Sequence, residues 1–324
     1  MPVSSERPPR NGFVARARKV YNLIGFTKGY NFCLFVIFGG ALLGFSLARL
    51  QYLDFYGTYC NPDRSKTSSS LPGECFYFLQ PFYATGMILH LACILPAAIL
   101  ALIQFVPAVR HKVILFHRIN GYFILLLSVG GTVGGLMIAR RAAGGDISTQ
   151  TSVGFVGLAF VTALVVAWAS IKKLRIDLHR AWMLRAWVWA GSIITMRLLF
   201  ILIAIILSKT GTYYYSQPCA KVAWALNDDT QMRSTYPQCA GFLDGSDPDQ
   251  QVSVRATFVA PQNVAEVMSV LNMTFGTAMI LGFLLHALGV ELYLAFTRDE
   301  AARLRKISLE RWDKVVNNTV SVDA

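Results

Sequence analysis

The sequence predicts an all-α, polytopic integral membrane protein with six transmembrane helices, both termini in the cytosol, and helices two to five forming a four-helix core. The chain of 324 residues is 54% hydrophobic and only 15% charged, and its mean hydropathy is +0.46, a composition typical of membrane proteins. Six apolar segments also approach or exceed the roughly 20 residues that a helix needs to cross a bilayer. These predicted spans are residues 31–49, 82–106, 113–138, 152–171, 180–208 and 264–296.

A basic arm, residues 1–29, precedes the first span. That span is too long for the apolar region of a cleavable signal peptide, so we expect it to act as a signal anchor. The other basic residues concentrate in the turn at 107–112, in the turn at 172–180 and in the tail at 297–324. The positive-inside rule places all of these segments, and hence both termini, in the cytosol.

The net charge of +12 therefore reflects topology and attraction to anionic lipid rather than nucleic-acid binding. The pair Arg140-Arg141, on the outer side, is the one local exception to this orientation. We expect a multi-pass protein of the plasma membrane or a secretory-pathway membrane, with the lipid bilayer as its main partner and no nucleic-acid partner.

Four of the six cysteines lie in the predicted outer loops. Cys60 and Cys75 fall in the first loop, and Cys219 and Cys239 fall in the last loop, residues 209–263. An even pair in each non-cytosolic loop predicts two local disulfides in an oxidising compartment. A metal site is the alternative, but these loops contain no histidine, and we expect no metal there. The last loop is long enough to cap the outer mouth of the bundle.

Five charged or titratable residues inside the spans mark the candidate site. Charged side chains are costly in lipid, so they normally face a protein interior or a wet cavity. The five residues are His90, His117, His179, Arg185 and Arg197. Three of them fall in one stretch, residues 172–197. Small residues share the same helical stripes, and close helix packing is the structural alternative to a functional site.

The helical rise sorts these residues into two levels. His90 and Arg197 lie in the outer half of the bilayer, whereas His117, His179 and Arg185 lie in the inner half. Two His-Arg pairs each open a helix after a basic turn, which indicates a weak duplication. In the alternative interpretation the arginines of these pairs are snorkelling topology signals.

Three kinds of function fit these residues. His117 and His179 suit the axial positions of a b-type haem, since imidazoles on facing helices are common ligands. The histidines and arginines also suit an acid–base site for a membrane-soluble substrate, or a solute or proton pathway. We favour a membrane-embedded oxidoreductase-type or tailoring enzyme acting on a lipophilic or anionic small molecule. The alternatives are a transporter and a non-catalytic scaffold. The lack of a clearly broken span argues against a transporter.

Arg197 requires a partner from another helix, because the residues on its own stripe are small. His90, Tyr83 and Asn272 are the polar candidates at its depth, and a neutral His90 would accept a hydrogen bond from the guanidinium. Such a cationic pocket would favour an anionic or carbonyl-bearing ligand entering from the outer side.

The motifs around these residues resemble those of a membrane-protein family designated domain of unknown function 2306. The resemblance covers residues 82–205 and rests on the helix-two histidine, on His-Arg-x-x-Gly-Tyr from His117 and on His-Arg-x-Trp-Met-x-Arg from His179. It implies a site but no reaction. A fainter likeness to transmembrane b-type cytochromes rests on histidines in successive helices. The fourth span here has none, so that likeness implies at most one bis-histidine haem.

The positions that carry the family resemblance are His90, His117, Arg118, Gly121, His179, Arg180, Trp182, Met183, Arg185 and Arg197.

Overall fold

The computed structural model describes residues 11–320, which are mostly helical. Residues 1–10 of the predicted arm and 321–324 of the predicted tail lie outside the described residues. The helices are α1 (Gly12–Leu23), α2 (Gly29–Leu34), α3 (Gly40–Arg49), α4 (Cys75–Phe78), α5 (Pro81–Phe105), α6 (Pro107–Lys112), α7 (Ile114–Ile138), α8 (Ile147–Lys172), α9 (Ile176–Ala190), α10 (Ser192–Thr210), α11 (Cys219–Leu226), α12 (Asp229–Thr235), α13 (Ala240–Leu243), α14 (Val264–Phe296) and α15 (Arg298–Val320).

Within the described residues, six helical stretches are long and apolar enough to cross a membrane, which confirms the predicted number and position of the spans. They are Gly29–Leu53, Pro81–Phe105, Ile114–Ile138, Ile147–Lys172, Ile176–Thr210 and Val264–Phe296. The last stretch has 33 residues, more than a bilayer requires, so it can tilt or extend beyond the lipid.

The chain folds into two compact units, of which the first comprises residues 11–70 and 79–137. Its helices α5 and α7 pack with their backbones almost touching. A Cβ atom added to Gly134 would lie 2.5 Å from the backbone nitrogen of His90, and one added to Gly131 would lie 3.2 Å from that of Ile94. These glycines therefore serve close helix packing, which was the structural interpretation of the small-residue stripes.

The second unit comprises residues 71–78 and 138–320. Helix α14 packs against α8, α9 and α10. Met196 and Phe200 of α10 and Leu271, Phe275 and Ala278 of α14 form the centre of a buried apolar cluster. The sixth span, which the sequence analysis left outside the four-helix core, therefore contributes directly to the interior of this unit.

Helices α9 and α10 of the fifth span meet at Gly191, which keeps a helical backbone conformation with φ −65° and ψ −14°. The carbonyl of Val188, one turn earlier, accepts a hydrogen bond from Nδ1 of His286 at 2.7 Å. Nε2 of the same imidazole lies 2.8 Å from the hydroxyl of Thr195, which follows Gly191. Gly191 N–H still donates to the carbonyl of Trp187 at 3.0 Å, so the fifth span is locally irregular beside His286 but is not clearly broken.

The last outer loop is a small folded layer rather than a simple connector. Strands β1 (Tyr214–Pro218) and β2 (Gln251–Arg255) pair antiparallel, and this pair departs from the all-α expectation. A disulfide joins Cys219 to Cys239, as predicted. In the first loop Cys60 and Cys75 are also disulfide-bonded. These four cysteines confirm the prediction of disulfides in both loops.

Helix α15 packs against α9 at the other end of the second unit. The side-chain oxygen of Ser308 accepts a hydrogen bond from the backbone N–H of Ile176 at 3.0 Å, which attaches α15 to the first residue of α9. The described part of the basic tail is thus a helix fixed to the first residue of the fifth span.

Candidate functional site

A buried glutamate, Glu74, lies at the centre of a charged cluster in the second unit. It directly precedes α4, and only 6% of its surface is exposed. One carboxylate oxygen accepts a hydrogen bond from the backbone N–H of Ala143 at 3.0 Å, and the other accepts one from Leu71 at 3.2 Å. Two backbone donors therefore fix the orientation of this carboxyl group.

Three cations interact electrostatically with Glu74 or with each other in this cluster. Arg197 and Lys221 both attract Glu74 electrostatically, and Arg141 repels Lys221. The guanidinium of Arg141 also lies 4.3 Å from the centre of the Tyr77 ring, a favourable cation–π distance. One carboxylate among three cations leaves the cluster with a surplus of positive charge. The local exception to the positive-inside pattern, Arg141, thus has a defined place in this cluster.

Lys221 is held by a chain of polar side chains. Its ammonium donates to the side-chain oxygen of Gln217 at 3.3 Å, and the amide nitrogen of Gln217 donates to the hydroxyl of Ser269 at 3.3 Å. Lys221 and Gln217 are 2% and 1% exposed. Removing the ammonium group of Lys221 from water carries a large desolvation cost, which its polar partners offset only in part.

Asn272 of α14 lies beside the same cluster. A Cβ atom added to Gly144 would lie 2.8 Å from the amide carbon of Asn272 and 2.9 Å from the hydroxyl of Tyr215. Gly144 follows Ala143, the residue that donates to Glu74, so Asn272 and Glu74 contact adjacent residues of the same short segment. The side-chain nitrogen of Asn272 and Nε of Arg197 are both buried, and neither donates a hydrogen bond to any residue between 11 and 320.

Burial sets the titration of the groups that lie outside the spans. Desolvation raises the pKa of Glu74, although the two backbone donors and the nearby cations oppose this shift. Desolvation lowers the pKa of Lys221 to about 8, against the attraction of Glu74. It raises the pKa of Tyr215 to about 12. Burial therefore shifts the pKa of Glu74 upward and that of Lys221 downward, the directions in which enzymes tune catalytic acids and bases.

The pairings predicted for Arg197, with His90, Tyr83 or Asn272, stay predictions. Nδ1 of His90 lies 2.7 Å from the carbonyl of Gly131, within the first unit. A carbonyl only accepts, so this nitrogen carries the proton. Arg197 belongs to the second unit, and its counter-charge there is Glu74, which the sequence analysis did not consider.

The remaining predicted residues each have a defined contact. The carbonyl of His117 accepts a hydrogen bond from the side chain of Gln104 at 2.9 Å. Nδ1 of His179 donates to the carbonyl of Ala167 at 2.9 Å. His117 falls in the first unit and His179 in the second. The haem ligation predicted for these two histidines stays a prediction.

Arg185 forms a bidentate ion pair with Glu291 of α14, in which two guanidinium nitrogens donate to the two carboxylate oxygens at 2.6 and 2.9 Å. Its guanidinium also lies 4.7 Å from the centre of the Trp182 ring. These contacts fix α9 to α14 and give Arg185 a structural role of its own. In the described part of the chain, no group of three His, Cys, Asp or Glu side chains is arranged to hold a metal ion.

Sequence reasoning missed Glu74 and Lys221 because both lie in loops rather than spans. One signal was available: each residue lies within two positions of a cysteine, at Glu74-Cys75 and Cys219-Ala-Lys221. A disulfide fixes its neighbours, so a charged residue beside one is a better site candidate than a charge on a free loop.

Comparison with curated proteins finds a distant relative. A segment of 182 residues, 49% of the chain, is 26% identical to the Ava biosynthesis cluster protein G of Aspergillus versicolor. That segment covers 52% of the relative, so the chain matches about half of the length of this protein. No solved structure matches the chain.

The family comparison agrees with the resemblance seen in the motifs. The matched segment begins in α5 and ends just beyond α11, so it contains His90, both His-Arg motifs, Arg197 and Lys221. Residues 87–227 of this chain thus match the family described as predicted membrane protein DUF2306.

Proposed function

We propose that this protein is a membrane-embedded tailoring enzyme that moves protons on a lipophilic small molecule, with Glu74 as its general acid–base. The observation that carries the proposal is the buried carboxyl group beside N–H groups that lack an acceptor. Arg197 and Lys221 both attract Glu74 electrostatically. Nε of Arg197 and the side-chain nitrogen of Asn272 donate a hydrogen bond to no described residue.

The chemistry follows from what each group can donate or accept. The carboxylate of Glu74 removes a proton from a carbon next to a carbonyl group of the substrate, and negative charge then develops on the carbonyl oxygen. The N–H groups of Arg197 and Asn272 hydrogen-bond to that oxygen, and the charge of Lys221 stabilises it further. Glu74 then returns the proton to a different atom. The reaction is an isomerisation, so it consumes no oxidant and no reductant.

Two further observations support this proposal over its alternatives. The relative in Aspergillus versicolor bears the name of a biosynthesis cluster protein, and a tailoring step fits such a setting. The cluster also has a surplus of positive charge, which favours a substrate that becomes anionic during reaction. The irregular position at Gly191, where His286 bonds to the carbonyl of Val188, keeps a transporter as the second candidate, because irregular helix segments can line solute pathways.

The test compares lipid-soluble metabolites in the natural host after deletion of the gene and complementation with variants. We expect the wild-type protein to restore a product with the same elemental composition as the accumulated precursor. Glu74→Gln should accumulate in the membrane and fail to restore the product. Asp249→Asn makes the same acid-to-amide change at an exposed position of the outer loop, and it should restore the product fully.

Each alternative gives a different result. A precursor and product that differ by two hydrogens would identify redox chemistry, and a reducible haem spectrum lost in His179→Ala would support the haem prediction. An unchanged molecule that moves across the membrane would identify transport. Full complementation by Glu74→Gln would refute the assignment of Glu74.

A further inference from the structure

A cavity of about 280 Å³ lies at the end of the spans opposite the Glu74 cluster. Helix α8 begins close to Ala143 and ends at Lys172, and the cavity opens beside its last residue, in the turn before α9. Helix α15 closes the other side. The volume is close to the lower limit for small-molecule pockets, roughly 300 Å³.

The lining of this cavity combines cationic and apolar side chains. Lys173 and Arg175 contribute from the turn, and Arg305 contributes from α15. Arg175 has a counter-charge, because Asp177 accepts its hydrogen bonds at 3.1 and 3.2 Å. Neither Lys173 nor Arg305 forms an ion pair with any described residue. The cavity therefore has two cations available to an anion.

The apolar part of the lining lies on one face of α15. Leu309 and Trp312 are 57% and 54% exposed, although both border the cavity. A tryptophan and a leucine exposed at the level where spans end are typical of the boundary between headgroups and acyl chains. Ser308, between them and the turn, binds the N–H of Ile176 and keeps the cavity wall in place.

We propose that this cavity binds the phosphate-bearing headgroup of an anionic membrane lipid. Lys173 and Arg305 hold the phosphate, while Arg175 stays paired with Asp177 at the rim. Leu309 and Trp312 lie against the glycerol and the first carbons of the acyl chains. A lipid bound there would link the turn before the fifth span to α15, two segments that otherwise meet at few polar contacts.

The experiment uses the purified full-length protein in detergent micelles and measures the binding of phosphatidylglycerol, phosphatidylcholine and inorganic phosphate. We expect phosphatidylglycerol to bind at least tenfold more tightly than phosphatidylcholine. Lys173→Gln combined with Arg305→Gln should weaken phosphatidylglycerol binding by about tenfold or more, since both cations that hold the phosphate are then lost. Lys306→Gln combined with Arg311→Gln removes the same charge from α15 outside the cavity and should change binding less than twofold.

The outcomes distinguish a lipid from a free phosphate. Trp312→Ala should weaken the binding of phosphatidylglycerol but not that of inorganic phosphate, if the acyl chain contributes. Inorganic phosphate that competes fully with the lipid would instead identify a soluble phosphate ester as the ligand. Equal losses in the two double variants would show general attraction to charge and overturn the proposal. The same applies to equal binding of the two lipids.

Discussion

The attraction between Glu74 and Arg197 can be measured without knowing the substrate. The two groups interact electrostatically but form no hydrogen bond with each other. Two opposite unit charges 4 Å apart attract by about 4 kcal/mol at an effective dielectric constant near 20. Since this pair lies beyond direct contact, we expect an interaction of roughly 2–3 kcal/mol.

A double-mutant cycle isolates this interaction. Glu74→Gln alone leaves Arg197 without its counter-charge, and Arg197→Leu alone leaves the buried carboxylate with Lys221 only. We expect each single change to lower the free energy of unfolding by about 3 kcal/mol or somewhat more, because breaking a buried pair leaves an uncompensated charge. The double variant should lose about 2–3 kcal/mol less than the sum of the two losses.

The assay is reversible unfolding of the purified full-length protein in mixed micelles with a denaturing detergent. The control cycle pairs Arg197→Leu with Asp249→Asn, whose carboxylate is exposed in the outer loop, and should be additive within about 0.5 kcal/mol. If the effects of Glu74→Gln and Arg197→Leu also add within about 0.5 kcal/mol, the attraction between the two groups is refuted. That result would also remove the electrostatic basis of the proposed site.

Four further predictions follow from the outer layer. Replacing Cys219 and Cys239, which are 20 positions apart, by serine should lower the free energy of unfolding by about 3 kcal/mol, as read from thermal or denaturant unfolding without reductant. Gly144 has φ +84° and is in close contact with Asn272, so Gly144→Ala should cost about 1–3 kcal/mol, whereas Gly154→Ala, with open space around its Cβ, should not destabilise. The unfolded chain keeps the proton of Lys221 up to about pH 10.5, whereas the native protein releases it near pH 8. The free energy of unfolding should therefore rise by up to about 3 kcal/mol between these two pH values. This rise should be absent in Lys221→Met. Cysteines placed at Lys66, Gly145 and Asp247 should all react with an impermeant reagent from the outer side, and cytosolic labelling at any of them would reverse the predicted orientation.

The spans were predictable because lipid permits few alternatives. Long apolar runs must form helices that satisfy their own backbone, and the six observed stretches coincide with the predicted ones to within a few residues at most ends. The contacts of His286 with Val188 and Thr195, on either side of Gly191, were not predictable, because His286 lies almost a hundred residues later in the sequence. Pattern alone does not show which side chain of a distant helix will meet a given carbonyl.

The site was predicted only in part, and for a related reason. Arg197 could be identified from its cost in lipid, and Asn272 from its depth. Glu74 and Lys221 lie in loops, where a charge carries no penalty until the fold buries it. Their importance depends on tertiary contacts with Ala143 and Gln217. Local sequence does not contain that information.

The membership of segment 71–78 in the second unit limits how the protein can be divided. A fragment that starts at residue 138 would contain Arg197 and Lys221 but not their carboxylate, although it would include all the helices of that unit from α8 onward. Such a fragment would have to bury two cations without an anion. Attempts to produce the second half alone, or to exchange halves between relatives at this boundary, should therefore carry the first outer loop along with it.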